Sequence, residues 1–491
     1  MQLAFPELTV AQPASVLSAP APYRGLYAFH KYWGKKPAEP LRYLIEHVSP
    51  DGGLVVDPFL GSGVSVLEAL QAGRRAIGID LNPAAVRISR LLAAPPPADV
   101  ARLALETVAE GAKEQILDSY RTVGGKIATH FVWDGTSLAK VWVQAREGRT
   151  RAELTPCEED LALLNSFASY RPRLLRNLRF FKNSRINCYP DLSLNDLFTG
   201  RALRNIDLLL ARISDLPPAA REAMLLSLTA AVGQMSRMVF AITNRGKASG
   251  RDSGRMEVGS WVIGYWRPQQ HFEVNVWNCF ERRADKLVKA LSSCACAHGP
   301  AVAGTIAKVC DGGAKYAIVQ GNSLEILPSL PDRSIDLVLT DPPHSDRIPY
   351  LELSELWNAV LGETPSFEPE IVVSNARERG KTEREYTKAM LHFLQICAPK
   401  LKESGSLVLF FNARERTSWA YLDRFLPKAA ETGLTYSGCF PLVYSASSVV
   451  QDNRDGAMKT DYGLVFSRFG RGAGFLVGIP GWVCEMPKPK T

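Results

Sequence analysis

A glycine-rich loop at residues 57–63 constrains the fold of this chain more than any other feature. It has the sequence Asp-Pro-Phe-Leu-Gly-Ser-Gly and joins the apolar run Leu54–Val56 to a helical pattern over residues 64–72. A buried strand followed by a glycine turn and a helix is typical of a parallel α/β sheet. Glycines let the backbone approach a ligand closely, and the amides of a helix N-terminus favour a negative group. The loop therefore predicts a ligand site at the edge of such a sheet.

The same pattern continues on both sides of a long interruption. Ala76–Asp80 predicts a second buried strand, and Pro83–Leu92 predicts a helix. Strands that alternate with helices form a parallel sheet with helices on its faces. Five further strands are predicted after the interruption, the last two as an antiparallel hairpin, at residues 316–320, 335–340, 406–411, 435–444 and 462–467. The count predicts a seven-stranded α/β sheet.

The interruption covers residues 98–313. It contains helical patterns such as the apolar run Pro218–Val239, short strand-like segments within 127–143, and a Gly/Ser/Arg-rich segment at Thr243–Gly254. We predict a large, mostly helical inserted domain here. The predicted division is a flexible arm at 1–23, a split α/β domain at 24–97 and 314–470, the insert at 98–313 and a tail at 471–491.

The composition is that of a globular protein, with 46% hydrophobic and 22% charged residues. The net charge of +8 is compatible with a polyanionic partner without requiring one. No apolar run approaches the ~20 residues that span a bilayer, and residues 1–23 do not resemble a signal peptide, so we predict a cytoplasmic protein without membrane contact.

The nine cysteines suit a reducing compartment. Cys294, Cys296, His298 and Cys310 lack the spacing of structural zinc ligands, so no metal is predicted.

Two carboxylates narrow the choice of ligand for the loop. By itself the loop suits a dinucleotide, a phosphate or S-adenosylmethionine. Asp57, at the end of the first strand, suits an ammonium group and opposes a pyrophosphate, and the spacing departs from G-x-G-x-x-G. Asp80 ends the second strand, where an acid can accept both hydroxyls of a ribose. The alternatives are a plain turn at Asp57 and a helix cap at Asp80. Together the two residues favour S-adenosylmethionine.

A second motif, Asp341-Pro342-Pro343-His344, ends another predicted strand. Its prolines remove amide donors and stiffen the loop. The carboxylate of Asp341 and a backbone carbonyl could then accept hydrogen bonds from an exocyclic amine and free the nitrogen lone pair for attack on a methyl group. The ring of His344 could stack on an extruded base. The alternative is a proline turn that only ends the strand.

These motifs together resemble the amino-methyltransferases of DNA, and more narrowly the bacterial adenine-specific methylases. The resemblance rests on His30–Pro37, the loop, the run Gly73–Asp80, the Asp-Pro-Pro-His motif and Tyr350–Trp357. It implies a Rossmann-like methyltransferase sheet, S-adenosylmethionine as cofactor and DNA with a flipped base as substrate. Three departures are His344 in place of Tyr, Val64 in place of Thr, and a permuted motif order.

The resemblance also implies roles for single residues. The target-base pocket would be formed by Asp341, Pro342, Pro343 and His344. The cofactor would be bound by Lys36, Pro37, Asp57, Phe59, Gly61, Ser62, Gly63, Asp80, Asn82, Asn322 and Ser323.

Basic residues indicate where nucleic acid could bind. Arg245, Lys247, Arg251 and Arg255 lie in the glycine-rich segment of the insert, and Arg377 and Arg379 follow the Asp-Pro-Pro-His strand. We predict phosphate contacts at these six positions, against the alternative of solvated loops. The interleaved arginines and aromatic residues of 170–185 suit phosphate contacts and a solvated face equally.

Several alternatives stay open. A motif that begins with Asp-Pro-Pro favours N6 of adenine over N4 of cytosine as the methylated position. The only Pro-Cys, Pro156-Cys157, lies in a charged stretch of the insert, which disfavours C5-cytosine chemistry. An RNA base amino-methyltransferase and a catalytically weak nucleic-acid-binding subunit remain as rivals. Partners from restriction or defence systems follow from the family analogy alone.

Overall fold

The computed structural model describes residues 23–144, 151–242, 256–261, 264–293, 302–343, 348–411, 416–442 and 461–468, together with Ile479 and Trp482. The strands are β1 (Leu54–Asp57), β2 (Arg75–Asp80), β3 (Ala128–Asp134), β4 (Ser137–Gln144), β5 (Arg151–Leu154), β6 (Val239–Ile242), β7 (Glu257–Val258), β8 (Gln270–Val274), β9 (Tyr316–Gln320), β10 (Ile335–Thr340), β11 (Leu401–Phe411), β12 (Leu434–Leu442) and β13 (Asp461–Arg468).

The α-helices are α1 (Ala38–Val48), α2 (Val64–Gln71), α3 (Pro83–Ala93), α4 (Ala98–Val108), α5 (Glu114–Asp118), α6 (Glu158–Asn165), α7 (Leu194–Leu197), α8 (Gly200–Ser214), α9 (Pro218–Val232), α10 (Val276–Ser292), α11 (Ile306–Cys310), α12 (Ser323–Ile326), α13 (Tyr350–Val360), α14 (Glu383–Lys400) and α15 (Arg416–Ala430). A π-helical turn, Ala109–Lys113, joins α4 to α5. In the described part of the chain, no helix is long and apolar enough to cross a bilayer.

The first sheet has seven strands in the order β12-β13-β11-β10-β1-β2-β9. Only β13 runs antiparallel to its neighbours, and the other six strands are parallel to one another. Every residue of β1 and β10 is buried, as expected of short apolar runs covered on both faces. The predicted α/β class is thus confirmed. Because parallel strands end at the same edge, Asp57, Asp80 and Asp341 are brought to one side of the sheet.

The second sheet is formed within residues 128–274, and its pairings are all antiparallel. Its order is β5-β4-β3-β8-β6-β7. The prediction of a mostly helical insert missed this sheet, although short strands were expected within 127–143. The reason is physical: β3 pairs with β8, about 140 residues later along the chain, so no local hairpin pattern marks the pairing.

One cluster of buried side chains connects the second sheet to helices of the α/β domain. It includes Trp33 near the N-terminus, Ile88 on α3, Leu226 and Trp277 from the insert, and Trp357 on α13. The indole rings of Trp33 and Trp357 are stacked, with centroids 4.5 Å apart. Such a shared core means that the insert packs directly on the elements that surround the carboxyl edge of the first sheet.

Candidate active site

The glycine loop between β1 and α2 lies at the carboxyl edge of the first sheet. The amide of Leu60 donates to the carbonyl of Ile79 over 3.0 Å, which folds the loop back on β2. Gly61 and Gly63 have φ values of +54° and +78°, in the left-handed region that favours glycine. A Cβ on Gly63 would lie 2.5 Å from the hydroxyl of Ser89 on α3. The glycines therefore allow the loop to pack on α3 and leave space above the sheet.

Asp57 is buried beneath the loop. Its Oδ1 accepts from the amide of Phe59 over 3.1 Å and from the hydroxyl of Thr340 over 2.7 Å, and its Oδ2 accepts from the hydroxyl of Ser65. Burial raises the pKa of Asp57 to about 6. Since a carboxylate has about four acceptor positions, most of its capacity is used inside the protein. The side chain joins β1 to β10 and α2 as well as facing the cleft.

Asp80 at the end of β2 keeps more hydrogen-bond acceptor positions for a ligand than Asp57 does. Its Oδ2 accepts from the amide of Gly61 over 2.6 Å, and its Oδ1 accepts from the amide of Asn82 over 2.8 Å. Each oxygen thus receives one backbone donor and retains a second acceptor position. Burial raises the pKa of Asp80 to about 7. The geometry leaves a carboxylate that can still accept two hydroxyl groups.

Lys36 lies between two carboxylates from distant parts of the chain. Its Nζ is 2.6 Å from Oδ2 of Asp341 and 2.9 Å from Oδ2 of Asp461. The side chains of Lys36 and Asp461 are 7% and 3% exposed, against 17% for Asp341. The ammonium group therefore fixes the carboxylate that the sequence placed in the target-base pocket, and Asp461 in turn holds the ammonium group.

The loop Asp341–Pro343 follows β10 and lies close to other segments of the chain. The hydroxyl of Tyr386 donates to the carbonyl of Pro343 over 2.7 Å. Gly34 has a φ of +71°, and a Cβ there would lie 2.7 Å from the hydroxyl of Tyr350. The segment 30–37 is thus packed against the Asp-Pro-Pro loop. His344 lies outside the described residues.

Sequence reasoning missed several residues of this region. The rings of Tyr32 and Tyr350 are stacked, with centroids 5.9 Å apart and an interplanar angle of 17°, and both line the cleft. Tyr350 begins the run Tyr350–Trp357 on which the resemblance partly rests, so that signal could have found it. Asp461 and Glu370 belong to no motif, and only the fold brings them to the site.

Asn82 was predicted to bind the cofactor, but its side chain is used inside the protein. It is 1% exposed. Its Nδ2 donates to the hydroxyls of Ser354 over 2.8 Å and Tyr32 over 3.3 Å, and its Oδ1 accepts from Asn358. Direct binding through this side chain is not supported, because these contacts fasten α3 to α13.

Asn322 and Ser323, after β9, also make internal contacts. Asn322 caps α12 and donates to Glu325 over 2.9 Å. The hydroxyl of Ser323 donates to the carbonyl of Pro58 and so holds the glycine loop. Both residues line the cleft, where they stay candidates for cofactor contacts.

Most predicted cofactor residues therefore gather around one cleft. Pro37 and Gly63 are the N-cap residues of α1 and α2 beside it. The cleft is lined, among others, by Lys36, Asp57, Phe59, Gly61, Ser62, Asp80, Asn82, Asn322, Ser323, Asp341 and Pro343.

The residues that were predicted to contact phosphate lie in different environments. Arg377 is exposed. Arg379 is wrong as a phosphate contact, because its side chain is 2% exposed and its guanidinium pairs with Glu352 over 2.7 Å and Glu370 over 2.5 Å. Arg245, Lys247, Arg251 and Arg255 lie outside the described residues.

Comparisons with known proteins point to one family. Residues 18–91 match the family model for DNA methylases of the N6/N4 type. The type II methyltransferase M2.DpnII of Streptococcus pneumoniae is 38% identical over 64 residues, which are 12% of this chain and 24% of the relative. The type II methyltransferase M.MjaII of Methanocaldococcus jannaschii is 31% identical over 58 residues, 12% of this chain and 11% of the relative. The resemblance to the amino-methyltransferases of DNA is thus confirmed over the segment with the glycine loop and Asp80.

The alignments span about a quarter or less of these relatives' own length. A solved structure of a provisionally assigned DNA modification methylase from Thermus thermophilus covers 31% of this chain and 52% of that chain at 13% identity. Its TM-score is 0.19, too low to equate the two folds.

Proposed function

We propose that this protein is a DNA methyltransferase that uses S-adenosylmethionine to methylate the exocyclic amine of a flipped base. The favoured target is N6 of adenine, and the alternative is N4 of cytosine. The observation that carries the proposal is the position of Asp341, held by Lys36 at the cleft that the glycine loop and Asp80 also border. An acceptor for an amine and a loop for the methyl donor thus lie at one edge of the sheet. The seven strands with an antiparallel hairpin at the end support a Rossmann-like methyltransferase domain.

The residues present suit the cofactor. Gly61 lines the cleft without a side chain, Gly63 lets the loop pack closely on α3, and Asp80 retains acceptor positions that suit ribose hydroxyls. S-adenosylmethionine, when bound, supplies an electrophilic methyl group on its sulfonium. The residues that would hold it are Lys36, Pro37, Asp57, Phe59, Gly61, Ser62, Gly63, Asp80, Asn322 and Ser323.

The protein's own groups would act on the target amine. The carboxylate of Asp341 accepts a hydrogen bond from the exocyclic nitrogen, together with a carbonyl of the Asp-Pro-Pro loop. These bonds would draw the nitrogen lone pair away from the ring and leave it available to the methyl group of a bound sulfonium. As the new N–C bond formed, the C–S bond would break with its electron pair on sulfur, and the amine proton would pass to water. Lys36 fixes the carboxylate at 2.6 Å, and Tyr386 fixes the loop through the carbonyl of Pro343.

The test is direct. The purified full chain is incubated with S-adenosylmethionine tritiated on the methyl group and with either unmethylated genomic DNA or total RNA, and the labelled nucleoside is identified. We expect N6-methyladenine from DNA alone. Label in RNA alone, or no label from a protein that binds the cofactor, contradicts the proposal.

The acceptor pocket is tested by Asp341→Ala. This variant should keep cofactor binding and lose methyl transfer by a factor of about 10²–10⁴, the range expected when a positioned acceptor is removed. Glu403→Ala serves as the control, since that carboxylate is 83% exposed and lies far along the sheet from the cleft. Full activity in Asp341→Ala would contradict the assignment.

A further inference from the structure

An open groove beside α10 is lined by cations. Arg282, Arg283 and Lys286 of α10 line it, together with Gln234 and Ser260. Arg282 and Lys286 are exposed and Arg283 is half-buried. No aspartate or glutamate is among the described residues that line this groove. It is therefore a concave surface of strongly positive charge.

Two lysines of segment 30–37 extend the same positive surface. The ammonium of Lys35 donates to the carbonyls of Tyr27 over 2.8 Å and His30 over 3.1 Å, and that of Lys286 donates to the carbonyl of Ala28 over 2.6 Å. Lys31 lies 5.3 Å from the ring centroid of Trp261. The carbonyl groups that Lys35 and Lys286 contact are neutral, so these hydrogen bonds hold the two ammonium groups in place without neutralising their charge.

The cations repel one another. Burial lowers the pKa of Lys31 to about 8, and the charge of Arg283 adds to that shift. Burial likewise lowers the pKa of Lys35 to about 8, with Lys286 adding to it. Burial also lowers the pKa of Arg283, and Arg282 adds to that shift. A ligand that carries several negative charges would relieve this repulsion.

Segment 30–37 lines the cleft and lies close to the groove, because Lys286 donates to the carbonyl of the nearby Ala28. Lys36 faces Asp341, Lys35 lines the cleft, and Lys31 and Lys35 lie within the electrostatic reach of α10. Ser260, which also lines the groove, closely follows residues 243–255 in the sequence, and that stretch contains four further cations. A polyanion lying in the groove would therefore lie close to segment 30–37, which also carries Lys36 at the proposed base pocket.

We infer that this groove binds the sugar-phosphate backbone of the DNA duplex whose base enters the cleft, through Arg282, Arg283 and Lys286. The inference rests on the proposed function for the identity of the polyanion. A phosphodiester backbone fits because contacts between phosphates and Lys or Arg side chains supply most of the sequence-independent affinity for DNA. The recognition sequence need not be known to detect it.

The experiment measures binding of the full chain to a fluorescent duplex of about 30 base pairs by anisotropy, from about 50 to about 300 mM salt, a range over which phosphate contacts change affinity strongly. Arg282→Ala and the double variant Arg282→Ala/Lys286→Ala are compared with Lys289→Ala. Lys289 is an exposed residue of α10 that lines a different cleft with Arg102 and Asp285, and it provides the matched control. S-adenosylmethionine binding is measured in every variant, because Lys286 also supports segment 30–37.

Each lost phosphate contact should lower the slope of log affinity against log salt by about 1. We expect a decrease of about 1 for the single variant and about 2 for the double, no decrease for Lys289→Ala, and unchanged cofactor binding. An unchanged slope in the double variant overturns the groove assignment, even if the protein methylates DNA. If the slope of log affinity against log salt decreases as expected but the protein transfers no methyl group, the result supports DNA binding in the groove and contradicts the proposed function. If the double variant loses affinity for an RNA duplex but not for DNA, the choice of DNA is overturned.

Discussion

If Asp80 binds the ribose as proposed, its carboxylate should make cofactor binding depend on pH. It lies at the end of β2, and burial raises its pKa to about 7. An ionised carboxylate can accept two hydroxyl groups, whereas a protonated one loses acceptor capacity and gains a donor. The ionised form, which dominates above the pKa, should therefore be the form that binds the ribose.

We expect the affinity for S-adenosylmethionine to fall as the pH decreases through about 7, by at most about tenfold per pH unit because one proton competes. Asp80→Asn should bind weakly at every pH and lose this dependence. Calorimetric titrations between about pH 5.5 and about pH 8.5 measure both. A decrease centred near pH 6 would point to Asp57 instead, because burial raises the pKa of Asp57 to about 6.

Lys36 offers a second test at the scale of one residue. Lys36→Met would leave Asp341 and Asp461 facing each other without their shared cation. Removing one partner of a buried ion pair costs about 3–5 kcal/mol, so denaturant titration should show a loss of that order. Lys36→Met/Asp461→Asn should recover part of it, because one unbalanced charge is gone. An equal loss in both variants would show that charge is not the cause.

At the scale of elements, the turn between β1 and α2 depends on its glycines. Gly63→Ala combines the cost of a positive φ, about 1–2 kcal/mol, with a contact of 2.5 Å to Ser89. Gly73→Ala is the matched control, since Gly73 has a φ of +76° and nothing lies within 4 Å of its added Cβ. We expect thermal unfolding to show a larger loss for Gly63→Ala and only that variant to lose cofactor binding. Equal losses of thermal stability in the two variants would mean that the close contact of residue 63 with α3 does not affect stability.

The short 3-10 turn Arg377–Arg379 places two arginines in opposite environments. Arg379→Ala would leave Glu352 and Glu370 buried without their cation, at a cost of about 3–5 kcal/mol. Arg377→Ala should change stability by less than about 0.5 kcal/mol, as surface substitutions usually do. Denaturant unfolding of both variants measures this difference, and a stable Arg379→Ala protein would contradict it.

The same elements explain which parts of the molecule the sequence could predict. The strands β1, β2 and β10 are short apolar runs that end in or directly before an aspartate, so both the strand and its carboxyl edge were visible locally. Arg379 was misplaced because burial depends on Glu352 and Glu370, which no spacing connects to it. The second sheet was missed in part for the same reason, since the pairing of β3 with β8 joins segments about 140 residues apart. Local patterns thus predicted the glycine loop and the strands beside it, and tertiary contacts decided the rest.

On the scale of the whole molecule, residues of the insert share one hydrophobic cluster with α3 and α13, and the two faces of the first sheet pack in two further clusters. Trp357 on α13 is 1% exposed and packs against Trp33 and Trp261. We expect a single cooperative unfolding transition, with coincident denaturant curves from tryptophan fluorescence and far-ultraviolet circular dichroism. Trp357→Ala should shift that transition as a whole, at a cost of about 3–5 kcal/mol. Two separated transitions would contradict a common core.

The insertion between β2 and β9 also has a consequence for biosynthesis. The amide of Leu54 on β1 bonds to Asp336 on β10, 282 residues later in the chain. At about 5–20 residues per second, a ribosome needs tens of seconds to make that length. During this time β1, an apolar strand at the centre of the finished sheet, has no neighbour on one side. Unpaired strand edges favour aggregation, so the nascent chain should depend on chaperones until β10 emerges.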